Sequence, residues 1–167
     1  MKTAIGITDH NINEVVTFLN ILLADEYVLY TKTRNANWNA DGSKFYEQHV
    51  FFENQYNVLD EVIDDLAERI RSLGCFAIGS LKYFQNTSQS SDENYNYNNL
   101  DEIIQSLASD HEAIIRNIRN EIIPISDRHN DTDTVAFVTN LLEKHEKMVW
   151  MHRLYIAQTD ASAIEEY

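Results

Sequence analysis

Glycine and proline are nearly missing from this 167-residue chain, which has four glycines (Gly6, Gly42, Gly74, Gly79) and one proline (Pro124). Residues 43–73 and 80–123 run without either breaker, which argues for long helices and against a turn-rich sandwich or barrel. Cysteine occurs once, as Cys75, so no intrachain disulfide can form. That usage suits a reducing compartment, and the residue reads as a small apolar side chain near a helix end. Long apolar runs are absent too. Residues 1–10 lack the core of a signal peptide, and nothing approaches the roughly 20 apolar residues that span a bilayer. A soluble, cytoplasmic protein with no membrane partner is expected. Positive charge is scarce: 13 Lys and Arg against 27 Asp and Glu leave a formal charge of -14. Such a surface repels phosphate backbones and attracts cations, so metal ions are likelier partners than nucleic acid. The length is that of one domain, residues 1–167, with about 1–10 and about 160–167 as flexible ends.

What is present is helical periodicity. Over residues 11–37, Val15, Phe18, Leu19, Leu22, Leu23, Glu26, Tyr27 and Tyr30 recur at three- and four-residue steps. The pattern breaks around residues 39–42. Ser43 is a suitable N-cap for a second helix running to Leu73, with Gly74 as its stop. In that helix Phe45, Phe52, Tyr56, Leu59, Ile63, Leu66, Ile70 and Leu73 form one apolar stripe. A short apolar piece, 81–84, precedes a polar run over 85–99 that reads as a long connection. A third helix is expected over 100–126, kinked or ended by Pro124, and a fourth from Thr132 to about Thr159. Two up-down pairs joined by a long crossover, which carries a short extra helix, form the connectivity of an all-α ferritin-like four-helix bundle.

The second helix holds two i,i+4 pairs, His49 with Glu53 and Asp64 with Glu68, each able to grip one side of a metal ion. With Asp60 they fall within an arc of about 100° beside the apolar stripe. The pairs stand about 22 Å apart along the helix, too far to share an ion within one chain. Two copies of the helix packed antiparallel about a two-fold axis would bring the first pair of one chain to the second pair of the other. One nitrogen and three carboxylates suit Fe(II) or Mn(II), and the lack of thiolate argues against a structural zinc. The plainer alternative is solvated charge and a satisfied histidine on a surface helix.

At these residues the sequence resembles the Dps family of ferritin-like mini-ferritins, over nearly the whole chain. The residues 23–35 (LADEYVLYTKTRN) are similar to the family's first helix, and Trp38-Asn39 with Gly42, Phe45 and His49 to its helix junction. Phe52-Glu53 and 60–70 (DEVIDDLAERI) resemble its second-helix signature, and 143–147 (EKHEK) with Trp150-Met151 its last helix. The resemblance implies a single ferritin-like domain, assembled as a homododecamer with ferroxidase sites at two-fold interfaces. It implies His49 and Glu53 as ligands and catalytic residues from one subunit, and Asp64 and Glu68 from its neighbour. Trp38 and Asp60 would stand near the site, and Asp127 and Asp131, with Asp133 close by, would line three-fold iron-entry pores. Asp131 could equally cap the fourth helix with Thr132. The implied activity is that of an iron-storing shell that consumes Fe(II) and hydrogen peroxide and protects against oxidative damage.

The chain departs from the family in one ligand. The family pattern His-Trp-Asn is Asn37-Trp38-Asn39 here, so Asn37 stands where a further metal-binding His is expected. An amide oxygen binds Fe(II) less well than imidazole, which leaves a shell with damped oxidation as one alternative and a C-cap role for Asn37 as another. A DNA-compacting structural shell is the third. Basic tails are missing, since the chain offers only Lys2 before Asp9 and ends with Glu165 and Glu166, so DNA binding is not expected. The remaining histidines, His10, His111, His129, His145 and His152, read as surface or packing residues.

Overall fold

Thr8 starts the first helix: its hydroxyl accepts a hydrogen bond from the Asn11 N–H at 3.3 Å, meeting one of the donors that a helix start leaves bare. α1 then runs unbroken over Asp9–Trp38. The structure is a computed structural model that describes residues 4–42, 44–90 and 99–164, with side chains described as far as 157. α2 follows over Phe45–Ser72. Ser43, the expected N-cap, lies outside the described residues, and Lys44 stands at the cap position without a side-chain capping bond.

The end of α2 is as its sequence implies. Gly74 has φ +88; its N–H donates to Arg71 O at 2.9 Å and the Cys75 N–H donates to Ile70 O at 3.3 Å. Those two bonds close a left-handed C-terminal cap, in which a side chain at Gly74 would crowd the backbone. Gly74→Ala should therefore lower stability by about 1 kcal/mol, read as a lower thermal midpoint. An unchanged midpoint would show that the position carries no strain. Cys75 is half-buried against the core, as expected.

The apolar stripe of α2 is rotated from the expected one. Phe52, Leu59, Val62, Leu66 and Ile70 are buried, whereas Tyr56 and Ile63 lie at the margin and Phe45 is 47% exposed. Gln48 and Gln55 continue the buried face. Polar residues on that face hid its true centre from a count of apolar residues alone.

The crossover begins with α3 (Leu81–Thr87), capped by Ser80, and only Phe84 of it is buried. Phe84 stacks on Tyr27 with ring centroids 4.4 Å apart. Beyond it the buried Asp25 carboxylate accepts hydrogen bonds from Ser88 Oγ at 2.7 Å and from the N–H groups of Gln89 and Ser90 at 2.6 and 3.1 Å. Burial pushes the Asp25 pKa up, and these three donors pull it back.

α4 (Leu100–Asn117) leads into a π-helical turn, Ile118–Ile122, and then α5 (Ile123–Arg128). The helix expected over 100–126 is divided rather than stopped. Pro124 can neither donate to the carbonyl four residues back nor leave it room, and the wider turn just upstream lets the chain stay helical past it. α6 runs from Thr132 to Ile164.

α1 pairs with α2, α4 with α6, and α1 packs on α4 to join the two hairpins. Leu19, Leu22, Leu29, Leu59, Leu66, Ile104, Leu107, Ile114 and Leu141 fill the space between them. The described residues contain helices and no strand, so the architecture is the expected all-α four-helix bundle; of the long connection expected over 85–99, residues 85–87 belong to α3 and residues 91–98 lie outside the described residues. Among them no helix is long and apolar enough to cross a membrane.

Candidate metal centre

The junction of α1 and α2 fixes His49. Asn37 is buried at 3% exposure, and its Nδ2 donates to His49 O at 2.7 Å. In return His49 Nδ1 lies 3.3 Å from Asn37 O, a geometry in which the ring donates Nδ1–H and leaves Nε2 with its lone pair free. A carbonyl that holds one ring nitrogen in this way fixes both tautomer and orientation, as it does for metal-binding histidines generally. Asn37 is therefore not the C-cap of α1. The helix runs one residue further, and Asn39 caps it, with Nδ2 donating to Asn35 O at 2.8 Å. Asn37 is better placed bracing α2 because its amide spans a gap between helices, a contact invisible from spacing along one helix.

Around this junction sits an aromatic and cationic cluster. The Arg34 guanidinium lies 4.7 Å from the Tyr56 ring centroid, 5.4 Å from that of Trp38 and 5.6 Å from that of Tyr30. Trp38 itself is 65% exposed in the single chain. Phe45 stacks on His49 at 5.4 Å. Glu53 is half-buried, and Asp60, Asp64 and Glu68 are exposed.

Continuous α2 keeps the His49/Glu53 pair and the Asp64/Glu68 pair two ends apart on one helix, so one chain does not bring them together. Among the described residues no three His, Cys, Asp or Glu side chains of a single chain stand in metal-coordinating geometry. In the single chain His49, like Glu53, is half-buried, whereas the second pair is exposed.

Of the two acids expected at a pore, Asp127 is exposed and Asp131 is not. Asp131 accepts from Arg69 Nη2 at 2.7 Å and from the N–H and Oγ1 of Thr134 at 3.1 and 2.6 Å. It caps α6 and ties it to the end of α2. Asp133 is exposed beside it.

The histidines hold the largest surprise. His111, His145 and His152 are all fully buried and meet in one cluster with Glu26, although they come from α4, α6 and α1. His145 and His152 stand seven residues apart, two turns along one face of α6; that spacing was the one available signal. His10 is a surface residue and His129 a half-buried packing residue, both on Glu14, at 3.5 and 2.6 Å.

Two helical hairpins packed as a four-helix bundle, with the second joined to the first by a crossover, have the ferritin-like architecture. The family model for the ferritin-like domain matches residues 16–162. A low temperature-induced protein of Nostoc is 36% identical over 91% of this chain and 85% of its own length. DNA protection during starvation protein 2 of Bacillus anthracis is 29% identical over 87% of this chain and 98% of its own. The crystal structure of the Dps protein of Vibrio cholerae superposes with a TM-score of 0.84 at 26% identity, covering 93% of this chain and 99% of that one. The chain belongs to the Dps family of ferritin-like proteins.

Proposed function

We propose that this protein is an iron-oxidising, iron-storing shell, built as a homododecamer, that consumes Fe(II) and hydrogen peroxide and so limits oxidative damage. The observation that carries this reading is the outward face of α2, where His49 offers a tautomerically fixed Nε2 and Glu53, Asp64 and Glu68 offer carboxylates without a partner for the full set in their own chain. A two-fold neighbour completes the set twice over, with His49 and Glu53 from one subunit and Asp64 and Glu68 from the other. The Vibrio cholerae protein is described as a member of a superfamily of ferritin-like diiron-carboxylate proteins, which supports a carboxylate-rich iron site here.

The donor set fits Fe(II): hard oxygens with one borderline nitrogen. Iron is the substrate. Two Fe(II) ions lose one electron each, the O–O bond of hydrogen peroxide breaks, and two protons complete two waters, so no hydroxyl radical leaves the site. The chain's part is to hold the metals close, with Trp38 and Asp60 at the rim of the pocket. In this reading Asn37 acts as the brace that aims His49. Asp127 supplies negative potential at the entry pores, and Asp131, neutralised by Arg69, contributes little of it.

Mixing anaerobic Fe(II) with hydrogen peroxide in a stopped-flow cell tests the activity. Fe(II) should disappear much faster with the protein than in buffer, with ferric product retained in the shell; equal rates would defeat the reading. The DNA-compacting alternative has the opposite signature. A gel shift at low salt and pH 7 should show no retarded DNA, because a formal charge of -14 repels the phosphate backbone. Retardation there would reverse the ranking.

A further inference from the structure

We propose that the groove between α2 and α6 is a binding site for one single-chain carboxylate amphiphile, of the class of a medium-chain fatty acid. Its tail would lie between Phe51, Val58, Met148 and Met151, with its head on Lys144 and Lys147. The proposal does not depend on the function proposed above. α2 and α6 belong to different hairpins and meet far less closely than either meets its hairpin partner. The gap they leave has a volume of about 400 Å³, the size of a small-molecule site and too large for a packing defect. Phe51, Gln55 and Val58 stand about 160° around α2 from His49, Glu53 and Asp60, so the groove opens away from the face that bears those ligands.

The groove is graded along its length. The Phe51 ring lies 5.6 Å from that of His152 and 5.1 Å from that of Tyr155, whereas Lys144 Nζ lies 3.9 Å from Asp65 Oδ2. The helices therefore run antiparallel, with an apolar end and a charged end. Lys144, Lys147, Met148 and Met151 follow at i, i+3, i+4 and i+7, one face of α6 that passes from two cations to two thioethers. Methionine moulds itself to a flexible tail more readily than a branched side chain does. Two lysines against one acid in the lining, Glu61, make the groove locally positive in a chain whose acids outnumber its bases 27 to 13. Asp65 offsets Lys144 only in part, because an ion pair of 3.9 Å between partly exposed side chains is weak. An anionic head is matched here and repelled by the net charge elsewhere. The length suits the same class: α2 rises about 15 Å between Phe51 and Glu61, a span that about ten carbons of alkyl chain fill. Gln55, on the floor, is 1% exposed, and both polar atoms of its amide are closed off below the surface. The floor thus offers a ligand no hydrogen-bonding edge, which favours a tail over a polar ring.

The test titrates the assembled, metal-free protein with hexanoate, octanoate and decanoate in a calorimeter, at pH 7 and below their micelle concentrations. The expected result is saturable binding of one decanoate per chain, with affinity rising about fourfold for each methylene added from hexanoate upward. Lys144→Glu with Lys147→Glu should weaken decanoate binding by about tenfold and strengthen that of decylammonium, whose head has the opposite charge. Val58→Trp, which fills the groove, should abolish binding, and Gln55→Leu should leave it at least as tight as in the parent. Should either of these fail to assemble, the chain-length series and the charge reversal at the two surface lysines decide. Uptake that does not saturate, an affinity independent of chain length, equal binding of decanoate and decylammonium by the parent, or unchanged decanoate binding after the charge reversal would overturn the proposal.

Discussion

Asp64→Ala with Glu68→Ala should reduce the rate of rapid Fe(II) oxidation by 100-fold or more while the shell still assembles. The two carboxylates are exposed in the single chain, so their loss leaves no buried charge behind. Stability should change by no more than about 0.5 kcal/mol. Each site in the assembly would lose half its ligands at once, and two metal ions cannot be held by the remaining imidazole and carboxylate alone. Stopped-flow oxidation kinetics, with size-exclusion chromatography to show the shell intact, read both halves of the expectation. Oxidation at the parental rate in intact shells would remove Asp64 and Glu68 from the site.

Acid should destabilise the metal-free protein well above the carboxylate range. Burial pushes the His152 pKa down from its ordinary value to about 4. For His111, burial together with the neighbouring His145 and His152 pushes it well below the ordinary value. In the unfolded chain both titrate near 6.5. Between these limits the unfolded state binds more protons than the folded one, so stability falls as pH falls from about 6.5 toward 4. For His152 alone the loss is about 2 kcal/mol by pH 5 and about 3 kcal/mol by pH 4. Asp25 and Asp110 act oppositely, since burial raises their pKa values and the folded state takes up protons first at the acid end. Their ion pair and hydrogen bonds limit that effect, Asp110 being paired with Lys32. Chemical denaturation in chelator at pH 7 and at pH 5 should show the difference, and His152→Leu should flatten it. Equal stability at the two pH values would mean that the histidine cluster is protonated or hydrated inside the folded bundle.

The bundle was legible in the sequence because its signals are local. Gly74 marks a helix end, the long interval without Gly or Pro keeps α2 whole, and the polar run after residue 84 announces the crossover. What escaped was everything set by one helix meeting another. Asn37 looked like a helix end, yet its amide reaches across to the carbonyl of His49. Asp131 read equally as pore or cap, and Arg69, 62 positions away, decides how it is neutralised. His111 and His145, 34 positions apart, touch, and no periodicity on either helix reports which turn of the other it will face. Pro124 did perturb the third helix, but the chain absorbed it in a π turn that has no clear signature in composition. The outer site was legible for the opposite reason: both of its pairs lie on one helix, and the distance between them is itself the sign that a second chain is needed.

That shared site can be tested by complementation between two inactive variants. Chains carrying His49→Ala and Glu53→Ala lack one half of every site, and chains carrying Asp64→Ala and Glu68→Ala lack the other. Neither shell alone should oxidise Fe(II) rapidly. Co-assembled in equal amounts, the two should recover about a quarter of the parental rate, because half the two-fold pairs are mixed and each mixed pair rebuilds one of its two sites. Separately assembled shells, mixed afterwards without exchange, should recover nothing. Recovery of that size would place His49 and Glu68 of different subunits on the same metal ions; no recovery in co-assembled shells shown to contain both chains would contradict it.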